Sequence, residues 1–242
     1  MPDLVFEHPR LAALYDAFDA DRRDLDVYVA IARELRARRV LDVGCGTGTF
    51  ALLLARQGFQ VTALDPARAS VDVAREKPGA GGVAWIVGDA AALPDLEVDL
   101  ATMTGNVAQA IVEQDDWERT LAAVHRALRP DGSLVFESRD PAFGGWEEWT
   151  RERTRQVVDV EGLGEVEQWN ELAKVALPLV RFRTTFHFRA TGEVLTSDST
   201  LRFRERAEIE AELQASGYVL HEVRAAPDRP GRELVFFARR PG

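Results

Sequence analysis

The chain has 242 residues, 46% hydrophobic and 29% charged, with 40 acidic against 30 basic side chains and a formal net charge of -10. At roughly 150 residues per domain this length suits one full domain with an elaboration better than two equal domains. The acidic balance disfavours nucleic acid, whose binding needs basic groups to displace counterions from phosphates, and no apolar run approaches the roughly 18 residues of a membrane span.

The first 24 residues carry charges throughout and hold no long apolar stretch, so no secretory signal is expected and the chain reads as cytoplasmic. Apolar residues then recur at helical spacing over 9–18 and 24–38, where Leu25, Tyr28, Val29, Ala32 and Leu35 fall on one stripe. From Val40 the pattern changes to short apolar runs at 40–43, 60–64, 83–87, 98–103 and 133–137, interleaved with helical stretches at 49–56, 67–76 and 116–128. Strands alternating with helices predict βαβ units and a parallel sheet. Arg129-Pro130-Asp131-Gly132 supplies a stop and a turn into the fifth strand.

After Asp140 the style changes. Residues 155–161, 165–175, 179–189 and 193–204 read as strands without intervening helices, and Val180, Phe182, Thr184, Phe186 and Phe188 alternate with Arg181, Arg183, Thr185, His187 and Arg189. A period of two predicts an antiparallel sheet with one dry and one wet face. A helix over 207–215, ended by Gly217, and strands over 218–224 and 232–239 then resume the first pattern. The expected organisation is therefore 1–140 as N-terminal helices and the ligand-binding part of an α/β domain, 141–206 as an inserted antiparallel sheet, and 207–242 as the last helix and strands. The acidic excess lies in the first part: residues 1–150 hold 25 acids and 15 bases, residues 151–206 hold 9 and 10.

The most informative stretch is Val40-Leu41-Asp42-Val43-Gly44-Cys45-Gly46-Thr47-Gly48, a strand running into three alternate glycines before a helix. Glycine permits the tight turn and lets a ligand approach bare backbone, and the helix N-terminus offers unpaired N–H groups. A purely structural turn is the plain alternative. A dinucleotide fingerprint, G-x-G-x-x-G/A, requires a small residue where Thr49 stands, which weakens a nicotinamide-dependent dehydrogenase reading. Cys45 is the only cysteine, which excludes an intrachain disulfide and a cysteine-based zinc cluster.

VLDVGCGTG resembles the first motif of class I S-adenosylmethionine-dependent methyltransferases, small-molecule type. The resemblance continues in Asp65-Pro66 after the second strand, in Gly88-Asp89-Ala90-Ala91-Ala92-Leu93-Pro94 after the third, in Thr104-Gly105-Asn106 after the fourth, and in Leu128-Arg129-Pro130-Asp131-Gly132 before the fifth. It implies a Rossmann-like α/β fold with a seven-stranded, mostly parallel sheet and helices on both faces, plus an antiparallel β insertion acting as a lid after strand five. It implies S-adenosyl-L-methionine as cofactor, S-adenosyl-L-homocysteine as product, and a small-molecule N or O acceptor. By this likeness Asp42, Gly44, Cys45, Gly46 and Gly48 line the cofactor, Asp65 accepts from the ribose hydroxyls beside Pro66, Asp89 accepts from the adenine amine while the Ala90 N–H donates to the ring, and Thr104 and Asn106 face the methionine part. Asp65 and Asp89 each read equally well, taken alone, as helix N-caps.

Tyr15 falls where related enzymes cap the cofactor, with a plain core tyrosine as the alternative. Arg139, Trp146 and Trp149 lie on the connection to the insertion and are candidate acceptor contacts, although tryptophans three apart also suit one packing face. None of His8, His125, His187 and His221 can be named as a catalytic base, and no metal is expected. A protein that binds the cofactor without catalysis is the remaining alternative, and oligomeric state is left open.

Overall fold

Strand β1 (Arg39–Val43) shows why the first half folds as it does: Val40 packs into one apolar layer and Leu41 and Val43 into the other. Side chains of a strand alternate in direction, so a run apolar at successive positions is buried on both faces. The computed structural model describes residues 2–227 and 229–242. Helices α1 (Leu4–Glu7), α2 (Pro9–Phe18) and α3 (Leu25–Glu34) precede β1, and α4 (Thr49–Arg56), β2 (Gln60–Asp65), α5 (Arg68–Glu76), β3 (Val83–Val87) and β4 (Val98–Met103) follow. Then come α6 (Val107–Ala110), α7 (Gln114–Ala127) and β5 (Leu128–Arg139).

After α8 (Arg151–Thr154), strands β6 (Gln156–Val160), β7 (Gly164–Ala176), β8 (Leu179–Phe188) and β9 (Glu193–Arg202) form a separate antiparallel sheet in that order. Helix α9 (Arg206–Ala215) and strands β10 (Val219–Ala225) and β11 (Glu233–Arg239) return to the first sheet. Its order is β10-β11-β5-β4-β1-β2-β3, parallel except at β11, which runs antiparallel to both neighbours. Helices α3 and α4 cover one face and α7 and α9 the other. The mostly parallel seven-stranded sheet and the four-stranded insertion are thus as the sequence predicts.

Two local differences have physical causes. The helix predicted to reach residue 38 stops at Glu34, because Arg36 takes φ 53° and Ala37 N–H returns to the Ala32 carbonyl at 3.0 Å. This is a Schellman ending with arginine where glycine is usual, so no glycine marks the stop. The turn at 129–132 is present, with Asp131 at φ 64°, but it forms a bulge inside β5. Asp131 N–H bonds the Arg240 carbonyl and Arg240 N–H bonds the Gly132 carbonyl, both at 2.9 Å.

The inserted sheet docks through its dry face. Val166, Phe186 and Phe188 pack on Leu11 and Leu14 of α2, and Val180 and Phe203 pack on Trp146. The N-terminal helices are tied there by Val5 N–H to Ser197 Oγ at 2.9 Å and by Arg10 to Glu193 at 2.8 Å. Truncating Phe186 to alanine removes the centre of that contact. We expect Phe186→Ala to cost about 3–5 kcal/mol of stability, read from denaturant unfolding; a loss under about 1 kcal/mol would show that the sheet does not depend on this packing.

Candidate functional site

The sequence-predicted residues converge on one edge. Gly44–Gly48 follow β1, Asp65 ends β2, Asp89 and Ala90 follow β3, Thr104–Asn106 follow β4 and Arg139 ends β5, all at the carboxyl ends of parallel strands, where open α/β sheets bind ligands. A cleft of about 910 Å³ lies at the opposite end, lined by Arg39, Gln60, Val83 and Val98 at the starts of strands. None of the predicted site residues lines it.

The glycines serve different ends. A Cβ on Gly44 would stand 2.4 Å from Val107 Cγ2, and one on Gly48 would stand 2.5 Å from Trp85 Cη2, so both are required by packing as well as by φ of 73° and 78°. Gly46, at φ 52°, has nothing within 4 Å of its Cβ position and faces open space. Four of the loop's N–H groups bond within the chain. Gly44 and Cys45 donate to the Leu64 carbonyl at 2.7 and 3.0 Å, Gly46 to Asp65 Oδ2 at 2.8 Å and Gly48 to the Cys45 carbonyl at 2.8 Å. The Cys45 thiol is buried, and burial pushes its pKa up, leaving it an inert packing group.

Asp65 is 8% exposed and its second oxygen accepts Ala67 N–H at 2.8 Å, so the carboxylate is held in a fixed orientation; burial raises its pKa against those two bonds. Asp89 is exposed and caps a 3₁₀ turn by accepting Ala91 N–H at 2.9 Å, with Ala90 buried beside it. Pro66 is exposed and Thr104 half-buried. Asp42, 1% exposed, accepts from Thr102 Oγ1 at 3.3 Å through one oxygen, while Oδ2 has no donor among the described residues. Asn106, at φ 62°, donates to Glu233 Oε1 at 3.3 Å, and its own Oδ1 likewise has no donor among the described residues. Two buried acceptors lacking donors suit a ligand that brings an ammonium group.

Tyr15 on α2 is half-buried, and burial, with Asp19 next, raises its pKa; Arg22 and Arg139 act in the opposite sense. Arg139, its side chain 26% exposed, lies 3.5 Å from Glu233 and donates to Gln109 Oε1 at 3.2 Å, with its guanidinium 5.8 Å from the Trp149 ring centroid. Trp146 is buried against Phe203 at 4.7 Å, and Trp149 packs on Phe182 at 4.7 Å. The tryptophans sit on and just after a 3₁₀ turn, Gly145–Glu148, and fasten the connection to the inserted sheet.

Sequence reasoning missed several partners. Asp16 on α2 accepts from Thr47 Oγ1 at 2.6 Å and from Thr49 Oγ1 at 3.3 Å, and pairs with Lys77, which donates to the Thr47 carbonyl at 2.7 Å. Glu137 and Glu233, buried at the ends of β5 and β11, brace the β4 loop. The one signal for Glu137 was a carboxylate closing an apolar strand.

The chain carries the fold of class I S-adenosylmethionine-dependent methyltransferases. Residues 40–132 match the family described as a methyltransferase domain. A cypemycin N-terminal methyltransferase from a Streptomyces species is 35% identical over 119 residues, 49% of each chain, and the protein spans about half the length of the curated relatives it matches. A methyltransferase structure from Clostridium acetobutylicum superposes with a TM-score of 0.75 at 18% identity, covering 97% of this chain and 99% of the other. An amino pentose methyltransferase from Micromonospora echinaspora, solved with S-adenosylmethionine, gives 0.69 at 23% identity over 94% and 95%. These structural likenesses extend through the inserted sheet. Among the described residues no helix is long and apolar enough to cross a membrane.

Two outcomes test the site as built. Gly46→Ala is expected to fold but to lose binding of S-adenosylhomocysteine by calorimetry, whereas Gly44→Ala should lose stability itself; the reverse pattern would misassign the open side of the loop. Burial raises Asp42 from 3.8 to about 7. An acid with a raised native pKa binds its proton more tightly when folded, so its contribution is fully present below about pH 4 and is lost as pH rises through about 7. Asp42→Asn should therefore flatten the decline in ligand-free stability across that window by on the order of a few kcal/mol, and parallel curves would contradict the assignment.

Proposed function

We propose that this chain transfers a methyl group from S-adenosyl-L-methionine to a small-molecule N or O acceptor by in-line displacement. The observation that carries the reading is the carboxyl-edge constellation: an open Gly46, an oriented Asp65, and acceptor atoms on Asp42 and Asn106 that lack donors among the described residues. The cofactor supplies a methyl group already activated on a sulfonium, so the protein's task is to hold, align and exclude water.

Asp65 accepts from the ribose hydroxyls, a diol that a fixed carboxylate suits because it accepts without donating. Asp42 and Asn106 hold the ammonium group, and Tyr15 lies toward the amino-acid carboxylate. Asp89 and Ala90 serve the adenine. The four-stranded sheet acts as a lid, with Arg139, Trp146 and Trp149 on the acceptor side, and residues 1–140 and 207–242 form the domain it covers. Support for a small acceptor comes from a fold shared, lid included, with an amino pentose methyltransferase. A catalytic base is needed only where the acceptor must lose a proton.

The test is calorimetry with S-adenosylhomocysteine followed by a methyl-transfer screen over small amines and hydroxyl compounds. Binding without NAD binding, and release of methyl to an acceptor, are expected. Asp65→Ala should weaken cofactor binding by about 1–3 kcal/mol through unpaired ribose hydroxyls. Unchanged affinity in the folded variant would remove Asp65 from the role, and absence of any binding by the wild type would remove the function.

A further inference from the structure

Segment 104–112 crosses the carboxyl edge and is fixed at both ends. At its start Gly105 and Asn106 take φ of 72° and 62°, a pair of left-handed residues of which the asparagine bears a real cost. Their N–H groups turn inward onto one atom: Glu137 Oε1 accepts from Gly105 at 2.7 Å and from Asn106 at 3.0 Å. Glu137 Oε2 accepts the Tyr28 hydroxyl. Glu137 is buried, so water cannot replace any of these partners, and an orphaned interior N–H is costly. At the far end Arg204 donates to the Ala108 and Ile111 carbonyls, both at 3.0 Å, which holds the carbonyl end of α6. Between the clamps Val107 occupies the space that the missing Gly44 side chain leaves.

We propose that Glu137 is a positioning residue for the cofactor site: its carboxylate fixes the left-handed Gly105–Asn106 backbone and so sets where Asn106 Oδ1 and Val107 stand against the glycine loop. This rests on the function proposed above. Both carboxylate oxygens are engaged by the chain itself, so Glu137 acts through the segment and not on a reacting atom. The carboxylate helps hold Asn106 in that conformation. Loss of the clamp releases the segment toward ordinary φ and moves the acceptor atom that the ammonium requires.

The experiment measures S-adenosylhomocysteine affinity by calorimetry, beside thermal unfolding, for the wild type and for Glu137→Gln, Glu137→Asp and Asn106→Gly. Glutamine keeps an oxygen for both N–H groups and can donate to the Tyr28 oxygen, so affinity within about threefold of wild type is expected. The shorter aspartate cannot reach both groups, and affinity should fall about tenfold or more, as for loss of buried hydrogen bonds. Asn106→Gly tolerates the left-handed backbone and removes only the side chain; it should weaken binding similarly, and the double variant Glu137→Asp/Asn106→Gly should be no weaker than the worse single one.

Wild-type affinity in folded Glu137→Asp, failure of glutamine to rescue, or additive losses in the double variant would each overturn the proposal while leaving the function standing. A wild type that does not bind would overturn both. Should Glu137→Asp fail to fold, Tyr28→Phe, which frees the carboxylate to turn, carries the test: several-fold weaker binding is expected, and unchanged affinity overturns the proposal.

Discussion

The carboxylate of Asp65 is the contact on which the rest of the site depends. One oxygen holds Gly46 of the loop after β1 and the other holds Ala67 at the start of α5, so a single side chain joins the glycine loop to the next strand and helix. The burial that this requires raises its pKa, an unfavourable effect that two backbone N–H bonds offset. Gly46 N–H is spent on Asp65 and those of Gly44 and Cys45 on the Leu64 carbonyl, and the loop leaves open space at Gly46.

Much of the fold was legible because its cause is local. Val40 and Leu41, like Val135 and Phe136, send neighbouring side chains to opposite apolar layers, and such runs announce a strand covered on both faces. In β8 the alternation of Phe186 and Phe188 with His187 and Arg189 announced the opposite case, a sheet with one dry side. The seven-stranded count came from resemblance, and the order of strands was not read at all, since periodicity carries no information about which strands become neighbours.

What stayed hidden lies in pairs remote in the chain. Nothing near Asp16 indicates that it will meet Thr47 and Lys77, and nothing near Tyr28 points to Glu137. A charged residue in an N-terminal helix reads as a solvated surface until the helix is docked. The site residues read from the motifs were those that glycine spacing and strand ends mark, while the bracing carboxylates, Glu137 and Glu233, were invisible because their partners are backbone N–H groups and side chains of other elements. Arg36 hid in another way, by taking a backbone conformation that glycine usually signals.

These hidden pairs also explain how an inserted sheet becomes part of the α/β domain. One face of α2 gives Leu11 and Leu14 to the inserted sheet; another gives Asp16 to the glycine loop. On the other side Phe203 packs on Trp146, and the adjacent Arg204 grips the carbonyls of α6, whose Val107 closes over Gly44. The glycine loop is therefore touched from two directions by elements that also carry the sheet. Displacing α2 would break apolar contacts with the sheet and hydrogen bonds with the loop together, and displacing the strand end at Phe203 would disturb α6. The acidic excess of the first 150 residues follows the same logic: part of it is surface, but Asp42, Asp65 and Glu137 are buried at the carboxyl edge, where their cost is borne by the geometry they impose.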